Sequence, residues 1–224
     1  MWQKLHAENQ ERNFTVVTVA MDSPEAARPW IEAVNPTYPC LIDQDHRVAE
    51  LYNMVNVPQA VWIDEDGVVV RPPENAGSSD AFRFMDRKTK QLTADQLAER
   101  ENMKASYVDA VFDWIVNGNE SEHALSVSDV RSRVRLPDDR IALAHTHFLL
   151  ARHLLRAGDS KQAKTHFAKA SDLHPQSWNI WRQAAEKDET GLAVGPEFWA
   201  RVDALGDLPY HLPIDMKGIS TGGG

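Results

Sequence analysis

The sequence predicts an α/β unit over residues 1–72 followed by an all-α region reaching residue 216. Three observations carry this reading. Residues 14–21 are apolar on both faces, as in a strand covered on two sides of a sheet. Val57 and Pro58 lead into an apolar run at 60–63, an Asp66-Gly67 turn and a second run at 68–70, which is hairpin patterning. Residues 144–177 alternate small and large apolar side chains at helical spacing, as two closely packed helices require.

The elements follow in order. After the strand at 14–21, Ser23 is an N-cap and Pro24 a first helical residue, while Pro29 removes a donor inside that helix and should kink or shorten it. Residues 39–43 read as a short strand ending in Asp43. Residues 46–54 read as a helix with Val48, Leu51, Tyr52 and Val55 at core spacing. In the hairpin, Val61 and Ile63 are expected to be buried with Val16 and Val19, and the strands 14–21, 60–63 and 68–70 to pair. Residues 73–92 read as a linker. Thr93 and Gln96 form a capping box for a helix over 93–118 that faces Leu97, Ala105, Val108, Val111, Phe112 and Ile115 inward and stops at Gly118. That helix either closes the sheet or opens the helical region.

The stretch 38–70, and NVPQAVWIDEDG at 56–67 above all, resembles the redoxin group of the thioredoxin-like superfamily: cytochrome-maturation-type thiol:disulfide oxidoreductases, alkyl hydroperoxide reductases and thiol-specific antioxidant proteins. The resemblance covers about residues 1–72. It implies a cis proline at Pro58 and a substrate loop formed by Val57 and Pro58. It also implies a first strand and a Trp-Cys-x-x-Cys segment standing just before the equivalent of residues 2–5, and these are absent here. A dithiol oxidoreductase needs one thiolate to attack and another to resolve, and Cys40 is the single cysteine. The fold class is therefore an α/β thioredoxin-like domain lacking its first strand and Cys motif, and the chain as given is expected to be inactive. A Cys or selenocysteine motif encoded upstream of Met1 is one explanation, and it would leave an unpaired edge on the strand at 14–21. Cys40 itself, in a Pro-Cys-Leu-Ile run with no adjacent cation, reads first as a small buried residue and only second as a reactive thiol.

Residues 119–216 read as helical and resemble a tetratricopeptide repeat at 144–177. Leu150, Ala151 and Leu154 face inward from the first helix, Gly158 and Asp159 turn the chain, and Ala163, Phe167 and Ala170 face inward from the second. His147 takes the place where the repeat often carries Trp, and Pro175 ends the unit. Residues 178–185 resemble the start of another repeat, with Trp181 at its aromatic position. Residues 127–134 fit a short helix, 198–206 an amphipathic helix, and 207–216 an extended segment laid on the helical region. Residues 217–224 are expected to be disordered. A repeat region can form a peptide groove, or it can be a hairpin that buttresses the domain; fewer than three repeats favour the latter.

Composition narrows the partners. The net charge of −9 disfavours nucleic acid, because neutralising phosphates needs a basic face. No apolar run reaches membrane-spanning length and no secretory leader is present, so a cytoplasmic location is expected, with an upstream leader or anchor left open. His145, His147, His153, His166 and His174 lack metal-ligand spacing, and Asp22, Asp43, Asp64 and Asp66 read as strand-end caps. No cofactor or metal is expected. Two function classes remain: a thiol-dependent oxidoreductase acting on protein thiols, disulfides or peroxides, and a non-catalytic adaptor that binds a peptide or protein partner, with self-association open in both.

Overall fold

The computed structural model describes residues 1–134, 136–217 and 219; Gly218 and residues 220–224, most of the stretch expected to be disordered, lie outside the described residues. The chain opens with helix α1 (Trp2–Glu8) and then alternates: β1 (Thr18–Ala20), α2 (Pro24–Val34), β2 (Cys40–Ile42), α3 (Arg47–Leu51) and the hairpin β3 (Gln59–Ile63) and β4 (Val69–Asn75). The helical part follows: α4 (Ala94–Asn117), α5 (Val127–Arg133), α6 (Asp139–Arg156), α7 (Ser160–Leu173), α8 (Trp178–Ala184) and α9 (Pro196–Asp203).

The strand pairing differs from the expectation. β1 pairs in parallel with β2, Val19 opposite Leu41, and β3 pairs antiparallel with β4. No strand joins the two pairs among the described residues. Only residues 18–20 of the expected strand 14–21 are in the ladder; Val16 is buried, but Val17 is exposed. The buried face of the hairpin is also the opposite one. Trp62 and Val70 point into the core, while Ile63 is 39% exposed. Side chains alternate along a strand, so a single buried Trp decides which neighbours face solvent. β4 runs on through Pro72 and Pro73 to Asn75, into the stretch read above as linker, because a strand with one open side tolerates proline.

The local signals behave as their chemistry requires. The Ser23 side chain accepts from Ala26 N, and α2 continues past Pro29 to an Asn35 cap with φ of 47°. Asp43 caps α3, accepting from Arg47 N and Val48 N at 2.7 Å each. That fixes which face of α3 turns inward: His46 and Ala49 are buried, and Leu51, expected in the core, is 74% exposed. The Thr93–Gln96 capping box is present. α4 buries Tyr107, Ala110 and Val111, whereas Leu97, Ala105 and Phe112 are exposed.

Three apolar clusters hold the molecule. The first packs α4 on Leu5, Trp62 and Val70, so this long helix covers the hairpin; Ile214 and Met216 of the C-terminal segment join it. That segment, expected on the helical region, thus also reaches the cluster that holds the hairpin. The second lies between α6 and α7, with Ala144, Phe148, Ala151, Ala163, Phe167 and Ala170. Ala151, Ala163 and Ala170 are buried as the small-residue pattern requires, but Leu150 is exposed. The third surrounds Trp178, Phe198, Val202 and Tyr210.

Candidate functional site

The Val57–Pro58 loop, whose peptide bond is cis, is gripped from both sides by residues far away in sequence. On α8, Asn179 donates its backbone N–H to Val55 O at 3.1 Å and its side-chain amide to Met54 O at 2.9 Å. Asn56 donates its amide to Tyr210 O at 3.1 Å; its Oδ1 accepts from Val57 N at 2.9 Å and from Arg182 Nη1 at 3.0 Å. Arg182 Nη2 also donates to the Tyr210 hydroxyl. The chain segment before Pro58 is thus pinned to α8 and to the C-terminal segment.

Val57 and Pro58 border a cleft of about 650 Å³. Its floor and walls come from the loop at Gly77–Ser79, α4 (Arg100, Glu101, Lys104), α8 (Arg182), the stretch 192–194, α9 (Phe198, Trp199) and Tyr210–His211. The α4 carboxylate is shared by two cations: Glu101 lies 3.6 Å from Arg100 and 3.5 Å from Lys104. Behind His211 stands Asp80, which accepts from Tyr210 N at 2.6 Å and lies 2.8 Å from His211 Nδ1. Burial works against ionisation of Asp80, but the His211 contact and the backbone donors outweigh it and hold the carboxyl below its ordinary range. Burial pushes the Tyr210 phenol up, opposed by the Arg182 charge.

Met1 and Trp2, which a redoxin-type substrate loop would place beside Pro58, do not line this cleft. Met1 borders a neighbouring groove of about 400 Å³ that shares Glu101 and Lys104, and Trp2 packs edge-on against Tyr107. Cys40 is also outside the cleft. It lies half-buried in β2, its Sγ 3.2 Å from Thr18 Oγ1 and 3.7 Å from Tyr38 O. The sequence reading missed Asn56, Asp80, Arg182, Tyr210 and His211. Arg182 sat inside a stretch read only as the start of a repeat, and no local motif joins residues 56, 80, 182 and 210. Among the described residues no group of three or more metal-ligating side chains converges, and no helix is long and apolar enough to cross a membrane.

The N-terminal part combines a parallel strand pair, a hairpin entered through a cis Val-Pro step and a covering helix. Residues 1–71, about a third of the chain, match the model of the AhpC/TSA family, which supports a thioredoxin-like redoxin type for this part. No curated protein and no solved structure matches the chain.

Proposed function

We propose that this chain carries the substrate-loop half of a redoxin-type, thiol-dependent oxidoreductase acting on protein disulfides or peroxides. Val57 and Pro58 would receive the substrate, and the chain alone would not turn over. The observation that carries this reading is the AhpC/TSA match over residues 1–71 together with the exposed Val57–Pro58 loop at the rim of a cleft of about 650 Å³. A dithiol cycle needs a second thiol near the substrate, and Cys40 lies in β2, away from the loop's cleft. The helical hairpin of α6 and α7 is then a tetratricopeptide-like buttress.

The second reading is a non-catalytic adaptor that binds protein partners, with the helical region contributing the surface. What favours it is the state of the lone thiol: Cys40 Sγ is within bonding reach of Thr18 and of the Tyr38 carbonyl and does not line the cleft beside Val57. The deciding experiment measures insulin reduction and peroxide consumption by this chain and by a version extended at Met1 with a strand and a Cys-x-x-Cys segment. The oxidoreductase reading expects turnover only in the extended protein, reduced by Val57→Asp. Absence of turnover in a folded extended protein would favour the adaptor.

A further inference from the structure

The cleft beside Val57 holds a cation that the protein does not neutralise. Arg182 donates to an amide oxygen, Asn56 Oδ1, and to a phenol, Tyr210 Oη. No carboxylate among the described residues stands within ion-pair distance of it. Its surroundings are aromatic: the guanidinium lies 5.9 Å from the ring centres of Trp178 and Tyr210, and Arg201 stacks on the same Trp178 at 4.9 Å. Burial lowers the pKa of both arginines, and the Arg182 charge lowers that of Arg201 further. Arginine nonetheless keeps its proton in proteins, so a half-buried positive charge waits at the cleft.

The rest of the lining adds to that charge. The ionised groups facing the cleft are Arg100, Lys104 and Arg182 against Glu101 alone. Asp80 lies behind His211 and is engaged by His211, by Tyr210 N and by Arg83 at 3.6 Å. In a chain of net charge −9, a cleft with three cations to one carboxylate is not a consequence of composition. The lining is otherwise largely apolar, with Val57, Pro58, Phe82, Leu192, Phe198 and Trp199. The volume, about 650 Å³, is that of a site for a small organic molecule.

We propose that this cleft binds an organic anion with an apolar or aromatic body and one carboxylate, and that the carboxylate pairs with Arg182. Arg182 still has free N–H donors after its bonds to Asn56 and Tyr210, and a planar carboxylate meets a guanidinium edge through two parallel hydrogen bonds. Arg182 is the one cation of the lining with no carboxylate contact among the described residues, while Arg100 and Lys104 are both held on Glu101, so a planar carboxylate on the free guanidinium edge is the matching anion. The site stands whether or not the Val57–Pro58 loop receives a thiol substrate.

The test titrates the full chain with 2-naphthoate, with its neutral isostere 2-naphthamide and with inorganic phosphate, read by calorimetry and by tryptophan fluorescence. Naphthoate should bind at least tenfold more tightly than naphthamide. Arg182→Gln should bring naphthoate down to the amide's affinity while leaving the amide unchanged. Because Arg182 also braces Asn56 and Tyr210, a second variant is needed that leaves the fold alone. Leu192→Asp adds a carboxylate at a lining residue that is 46% exposed, and should weaken naphthoate at least fivefold with little effect on naphthamide. Equal affinity for acid and amide, no binding of either by the folded chain, or naphthoate binding indifferent to both substitutions would overturn the proposal. Displacement of naphthoate by phosphate at similar concentration would overturn the carboxylate assignment. None of these outcomes bears on the insulin and peroxide assays.

Discussion

Trp62 Nε1 donates a 2.9 Å hydrogen bond to the Tyr107 hydroxyl, deep in the interface between the hairpin and α4. Both side chains are buried, and Trp62 also stacks on Trp114 with ring centres 5.2 Å apart. The bond satisfies a donor that has no access to water, so it ties the direction of β3 to the position of the long helix. Tyr107→Phe keeps the ring and removes the acceptor. It should cost about 1–2 kcal/mol, the penalty for a buried unpaired donor. Urea denaturation should show a lower midpoint with an unchanged slope.

Gly77 lies where the chain leaves β4 and passes under Tyr107. Its φ is +79°, and a Cβ built there would come within 2.9 Å of Tyr107 Cβ. Gly77→Ala therefore meets both a left-handed backbone penalty of about 1–2 kcal/mol and a clash with a residue that cannot retreat. The melting temperature should fall by several degrees, and more than for Gly67→Ala, where φ is +78° but nothing lies within 4 Å.

Arg71 is 2% exposed and donates to Glu74 Oε1 at 2.7 Å, to His123 O at 2.8 Å and to Asp215 O at 2.7 Å. One side chain thus joins β4, the loop before α5 and the C-terminal segment. Burial raises the Glu74 pKa, and the Arg71 contacts oppose that rise. Arg71→Met would strand Glu74 and two carbonyls, with an expected loss of roughly 3 kcal/mol or more. Arg71→Lys should recover only part of it, because one ammonium cannot reproduce the fork. Chemical denaturation of the two variants checks the order.

Asn179 controls the loop before Pro58 from α8. Asn179→Ala removes the bond to Met54 O and should cost about 1 kcal/mol globally. Its larger effect should be local: limited proteolysis and amide exchange across residues 53–58 should accelerate several-fold, while α6 and α7 stay protected.

His46 and His174 make the fold acid-sensitive. Burial brings the pKa of each down from 6.5 to about 4. For His46 the Met21 carbonyl and the charges of Asp43 and Asp22 act upward, and Arg152 acts downward. Between these values the unfolded chain takes up a proton that the folded chain refuses. The full stability is therefore present above about pH 6.5 and declines as pH falls towards 4. The loss reaches about 3 kcal/mol for His46 by the end of that window. His46→Asn suits the residue's φ of +56° and should flatten the fall in the urea midpoint between pH 7 and pH 5. An unchanged slope would remove His46 from the account.

Much was decided locally and was therefore legible in the sequence. Ser23, Thr93 with Gln96, and the turn at Asp66 and Gly67 act through neighbours a few residues away, and each does in the fold what its chemistry dictates. The small residues Ala151, Ala163 and Ala170 are likewise buried between α6 and α7, since close helix approach needs them wherever the pair sits. The resemblance of residues 38–70 pointed to the redoxin type that the match over 1–71 bears out. What only the tertiary structure decided is which face each element turns inward and which distant groups meet. The inward faces of β3 and α3 depend on where Trp62 finds Tyr107 and on how Asp43 caps α3, not on apolar spacing alone. The cleft depends on Asn56, Asp80, Arg182 and Tyr210 converging from four separate stretches of chain. No periodicity or motif encodes such a convergence, because it follows from packing α8 and the C-terminal segment against the Val57–Pro58 loop.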